Sequence, residues 1–120
     1  MQKFSLTAAA RQQLEAAKRG SSGRSSQTIY GGHEHALRQT LIALASGQSL
    51  NEHNTSGEAT LYVLSGRVRL SVGEVSWDGM TGDLLVIPDS RHALLALEDA
   101  TVLLTVVKQT SLGNSAPTSS

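Results

Sequence analysis

Apolar and polar positions follow two different rhythms along this chain. Near the amino terminus, Leu6, Ala9, Ala10, Gln13, Leu14 and Ala17 recur at helical spacing, with Ser5 or Thr7 available as a cap and Lys18 and Arg19 suited to the last turn. Gly20 ends the predicted helix. Its stripe is mostly alanine and buries little area, so the helix needs a partner surface, in its own barrel or across a dimer. Residues 20–27 are Gly, Ser, Arg and Gln, too polar to predict packing, and Thr110 to Ser120 has the same character.

Between these segments the pattern changes to short runs rich in Val, Leu, Ile and Thr, interrupted by Gly or by Asp-containing turns. Strands are predicted at Thr28–Tyr30, Ala36–Ala45, Thr60–Leu64, Arg67–Val72, Val75–Trp77, Leu84–Ile87, His92–Leu97 and Thr101–Val107. Arg67 to Val72 alternates polar with apolar, as a strand with one wet face does. Leu84–Ile87 and Val102–Val107 are apolar almost throughout and are expected to be buried on both faces, on another sheet inside and on a helix or a second subunit outside. Ser65-Gly66, Gly73-Glu74 and Glu98-Asp99 are placed to turn hairpins. The fold class is therefore all-β, a double-sheet jelly-roll barrel with a short N-terminal helix. The expected organisation is a helical arm and flexible linker over residues 1–27, the β-barrel over 28–109, and a disordered tail over 110–120.

Composition narrows the chemistry. A chain of 120 residues is one ordinary domain. Ten basic and ten acidic residues cancel, so no global field favours nucleic acid or an anionic membrane as a partner. The charge is nonetheless uneven, with six basic and two acidic groups in residues 1–40 against four and eight in 41–120. Zero cysteines exclude disulfides, thiolate metal sites and cysteine nucleophiles, and four aromatics leave little for stacking bases. Histidine and carboxylate chemistry remains. With no targeting segment and no long apolar run, the expected compartment is the cytoplasm.

Two segments carry the chemistry-bearing residues. Gly47 is followed by five residues, then His53, Asn54 and Thr55, and the segment closes on Ala59-Thr60-Leu61-Tyr62-Val63-Leu64-Ser65-Gly66. The second runs from Gly82 through Asp83-Leu84-Leu85-Val86-Ile87 to Pro88 and His92. In these residues the chain resembles the cupin superfamily, as a small single-domain member with an RmlC-like jelly roll. The resemblance spans about Gly47 to Ala96 and implies a divalent metal held inside the barrel by two His and one Glu of the first motif and one His of the second. Here His53 and His92 match ligand positions, whereas Thr55 stands in place of the second His and Ala59 in place of the Glu. Ser90 replaces a glycine, the spacer before His92 is one residue short, and Ala96 stands in place of an asparagine.

Two imidazoles fall short of the three protein ligands that a catalytic zinc or non-haem iron site takes, so any Zn, Ni, Mn or Fe is expected to be weakly bound or absent. Glu58 would enter the barrel only through a register-shifting bulge at Gly57, and His33 and His35, two apart, are the other possible supplements. Arg38 is a candidate carboxylate fork and Thr55 a further ligand contact. His53 and His92 are either used for binding or retained as buried, hydrogen-bonded rings. Tyr62 and Trp77 are expected mainly to pack, with Tyr62 also a candidate acid beside His92.

The readings that follow are three. The first is a binding module for a small molecule or a weakly held metal, with His53, His92, Thr55 and Arg38 in contact. The second is an enzyme: a metal-dependent dioxygenase or isomerase, or a metal-free epimerase or lyase using His53, His92 or Tyr62. The third is a ligand-sensing regulator acting through a partner, since no helix-turn-helix is present. Homodimerisation is expected from the resemblance and from the apolar strands.

Overall fold

The computed structural model describes residues 1–53 and 57–108, with residues 51–53 as backbone only. Thr55 and the tail from Thr110 lie outside the described residues. Helix α1 (Leu6–Arg19) begins where Ser5 accepts a hydrogen bond from the Ala8 amide at 3.2 Å, and it ends at Gly20 with Lys18 and Arg19 in its last turn. Nine strands follow: β1 (Arg24–Tyr30), β2 (Leu37–Leu44), β3 (Ser49–His53), β4 (Gly57–Ser65), β5 (Arg67–Val72), β6 (Val75–Met80), β7 (Leu84–Ile87), β8 (His92–Ala96) and β9 (Ala100–Lys108).

They form two antiparallel sheets, β1-β2-β9-β4-β7 and β3-β8-β5-β6. This is the expected jelly roll, but its sheets pack as an open sandwich and do not close into a barrel, since among the described residues no ladder joins β1 to β3 or β7 to β6. Alternation decides what each strand buries. Ile42, Val102, Val63 and Leu61 point inward from the larger sheet, and Val68, Leu70, Leu94 and Ala96 meet them from the smaller one. Each such side chain contributes roughly 1.5–3 kcal/mol on burial.

On the outer face, α1 lies across β1, β2 and β9 of its own chain. Ala9 and Ala17 are buried there, and so are Leu41, Ala43 and Thr101 of the sheet. The alanine stripe thus serves close approach. The Thr101 hydroxyl, buried under the helix, meets Ser65 Oγ at 2.7 Å and so leaves no orphan hydroxyl.

Several expectations are corrected. Arg24 to Gln27, read as linker, form the first half of β1, because Gln13 of α1 bonds both Ser25 and Gln27 and β2 supplies the ladder. Polar side chains here are satisfied by a helix rather than by water. Ser49–His53 forms a strand that the sequence pattern did not predict. Of the three anticipated hairpins only Gly73-Glu74 joins paired strands; Ser65-Gly66 and Glu98-Asp99 carry the chain from one sheet to the other. Of the two covers expected for the outer face of β7, the helix is not the one: within the chain Leu84 and Val86 are 60% and 64% exposed, since α1 stops short of this edge strand. Trp77 and Tyr62, expected to pack, are exposed.

The β8–β9 crossing also clamps the helix. Asp99 accepts the Ser46 amide at 2.8 Å and faces Lys18 Nζ at 3.4 Å. The Ser46 hydrogen bond, with a smaller contribution from Lys18, holds its carboxyl below the usual aspartate range. A carboxyl depressed in the folded state adds stability above its unfolded pKa of about 3.9 and loses it as pH falls through the folded value. Asp99→Asn should therefore melt below the parent at neutral pH, and the two melting curves should converge in acid. A gap that persists unchanged at acidic pH would show that charge at this position is irrelevant.

Candidate functional site

The inward position at the start of β8 belongs to His92, which is 3% exposed and shares its face with Leu94 and Ala96. Pro88 ends the run of β7, and a tight turn with the Ser90 amide on the Pro88 carbonyl at 2.9 Å brings the chain back. That turn aims the Ser90 carbonyl at the ring, 3.0 Å from His92 Nδ1. A carbonyl only accepts, so Nδ1 carries the proton in this contact. Metal-binding imidazoles are oriented by this kind of second hydrogen bond.

The ring borders a void of about 20 Å³ whose other walls are aliphatic, among them Ile42, Leu50, Leu70, Ile87 and Leu104. That is the size of a single water or ion. Register places His53, at the end of β3, directly opposite His92 on the neighbouring strand. The two histidines singled out by the sequence are thus cross-strand partners.

The other candidates fall elsewhere. Register runs unbroken from Gly57 through Val63, so no bulge turns Glu58 inward; Glu58 is exposed and Ala59, 4% exposed, takes the inward place. Tyr62 lies between inward Leu61 and Val63 and so projects from the outer face, which separates it from His92 by the thickness of the sheet. It is not an acid for that ring. His35 stacks near Tyr30, with centroids 4.9 Å apart and Nδ1 3.5 Å from the phenol oxygen, in a cleft that shares no wall residue with the His92 void. His33 is exposed in the β1–β2 connection. Arg38 shares the inward row of Val106, Ala59 and Ile87 but is exposed at its open end. Among the described residues no three His, Cys, Asp or Glu side chains stand together as a metal site.

One feature escaped the sequence reading. Between the unjoined edges of β1 and β3 opens a cleft of about 370 Å³, lined by Ser22, Arg24, Ser25, Ser26 and Thr40 and floored by Ile42 and Leu50. The last two also wall the His92 void, so the cleft and the void share a partition. A serine-rich run gives no hydrophobic periodicity, and only the placement of Arg24 opposite Leu44 and of Ser26 opposite Ile42 reveals its inward face.

The cupin-domain family model matches residues 40–108, which includes both histidines. Among solved structures, a conserved protein of unknown function from Streptococcus pyogenes is similar at 28% identity and TM-score 0.68, over 76% of this chain and 79% of that one. An RmlC-like cupin protein from Desulfovibrio desulfuricans is similar at 22% identity and TM-score 0.70, over 89% and 96%. A variant of salicylate 1,2-dioxygenase from Pseudoaminobacter salicylatoxidans shares the fold at 18% identity and TM-score 0.68, over 84% of this chain and 32% of that one. No curated protein matches the chain. With the family model spanning more than half of the chain and most of the sandwich, the chain belongs to the cupin family.

Proposed function

We propose that this cupin is a binding module that takes a weakly held divalent ion, or the tip of a small molecule entering from the lateral cleft, with His92 as the polar anchor and His53 beside it. The observation that carries the reading is a deeply buried imidazole whose Nδ1–H is committed to the Ser90 carbonyl, set in an aliphatic void of about 20 Å³. Imidazoles at these two cross-strand positions would suit a weakly held divalent ion. Two neutral imidazoles supply nitrogen donors, but the inward place of a charge-balancing carboxylate is Ala59, so solvent would complete the shell. Bound there, such an ion would act as a Lewis acid. The protein's own residues orient the ring through Ser90 and limit the space beside it through the surrounding aliphatic walls.

Calorimetric titration of zinc, nickel, manganese and ferrous iron tests this. One ion per chain is expected, with His92→Ala and His53→Ala each weakening it about tenfold or more. Identical heats in parent and variants would remove the histidines from the site, and no heat at low-millimolar metal would remove the metal.

Pairing of two copies belongs to the same proposal. The outer face of β4, β7 and β9 beyond the helix carries Tyr62, Leu84, Val86 and Val107, all exposed, and β7 is an edge strand with one unpaired ladder. No helix of the described residues is long and apolar enough to cross a membrane. A second copy of the chain is the partner assigned to this face.

A further inference from the structure

The geometry points to a second subsite in the lateral cleft, with Arg24 as its specificity-determining residue and a small organic acid as its ligand, carboxylate outward and apolar end against Ile42 and Leu50. This assignment rests on the reading of the chain as a ligand-binding cupin and adds the class of ligand. It begins from the inward face of β1. On β4, β7 and β9 that face is built from Ile, Leu, Val and Ala, yet β1 places Arg24 opposite Leu44, Ser26 opposite Ile42 and Thr28 opposite Thr40. Polar groups on the concave side of a sandwich are not needed for its core. They line a cleft of about 370 Å³, within the range of pockets that hold small ligands.

The chemistry of the lining is one-sided. Arg24 borders the space with the serine and threonine residues Ser22, Ser26 and Thr40, and no carboxylate stands among the described walls. Arg24 is exposed, and among the described residues no acidic group pairs with it, in contrast to Arg67 and Arg69, which both reach Asp78. The guanidinium offers a planar fork that matches a carboxylate, and hydroxyls beside it can donate to the same oxygens. The serine backbone here is already fixed: Ser22 Oγ accepts from the Arg24 amide at 3.3 Å and donates to the Arg24 carbonyl at 3.2 Å, so the strand's entry is held without using the guanidinium.

The floor of the cleft then sets the shape of the ligand. Ile42 and Leu50 face the cleft on one side and the His92 void on the other. An acid whose charge rests on Arg24 must lay its apolar part on this partition, and a rotamer change at either residue would join the two spaces. The ligand is therefore a short acid with an aliphatic or aromatic body, not a polyanion, since a single cation is present.

The test uses the full isotope-labelled chain and two matched pairs of probes, benzoate with benzamide and hexanoate with hexanamide, followed by amide shifts. Both carboxylates should move the amides of Ser26, Thr40, Ile42 and Leu50, and each should bind about tenfold or more tightly than its amide. Arg24→Gln should abolish that preference while leaving the amides' weaker binding as it was. Arg24→Lys should restore part of it, because a point charge lacks the fork. Shifts confined to other residues, equal binding of acid and amide, or no shift with either pair would overturn the subsite. Zinc titration of Arg24→Gln and carboxylate titration of His92→Ala separate the two readings. Loss of metal binding only in the histidine variant, with acid preference lost only in Arg24→Gln, supports both, whereas a carboxylate preference insensitive to Arg24 overturns this one alone.

Discussion

Gly66→Ala should lose more stability than any other single-atom-scale change in the sandwich, about 3 kcal/mol or more, read as a fall in denaturant midpoint without a change in slope. Gly66 sits at the crossing from β4 to β5 with φ of +85°, a region where an L side chain is strained. Space forbids the substitution as well, since a methyl would stand 2.1 Å from the Asp99 carbonyl oxygen and 2.8 Å from Ala100 Cα, both backbone atoms. The β8–β9 crossing cannot retreat. The amides of Leu97 and Glu98 both donate to the Arg67 carbonyl, at 2.9 and 3.3 Å, and Asp99 is tied to Ser46. By contrast Gly73→Ala, at a hairpin tip with open space around it, should cost only its local strain. Equal losses at the two glycines would show that the stacking of the crossings contributes nothing.

The second large effect is on association. Leu84→Lys should raise the dimer dissociation constant about a hundredfold in sedimentation while leaving melting of the isolated chain nearly unchanged. Leu84 is 60% exposed in the single chain, so charging it costs the fold little, whereas a two-fold interface presents each substitution twice and buries both charges. Val86→Glu on the same edge strand should act alike, and the pair Leu84→Lys with Val86→Glu should recover part of the affinity if opposite charges meet across the axis. An unchanged constant in both single variants would place the interface elsewhere.

The helix, the wet-faced strand Arg67–Val72 and the run Leu84–Ile87 were legible from spacing and capping residues, and the observed bounds of the last two coincide with those expected. The backbone register sets His53 opposite His92, the two positions that the glycine and proline punctuation of the motifs singled out. What stayed hidden is non-local. Nothing in Leu84-Leu85-Val86-Ile87 says that α1 reaches only as far as β9, so its outer face looked buried. Nothing in Ser65-Gly66 distinguishes a hairpin from a passage between sheets, since both need the same left-handed glycine. The polar run before Thr28 resembled a linker because its satisfying partner, Gln13, lies a dozen residues away on another element.

The order of strands in the larger sheet has a bearing on biosynthesis. β9, the ninth strand in sequence, lies between β2 and β4 and provides part of the platform for α1. Until residues 100–108 leave the ribosome, the earlier strands hold two unmatched ladders and an alanine helix without the part of its seat that β9 supplies. A nascent chain halted before Ala100 is thus the species most in need of a chaperone, and release of the final strand is the step that commits the whole sandwich.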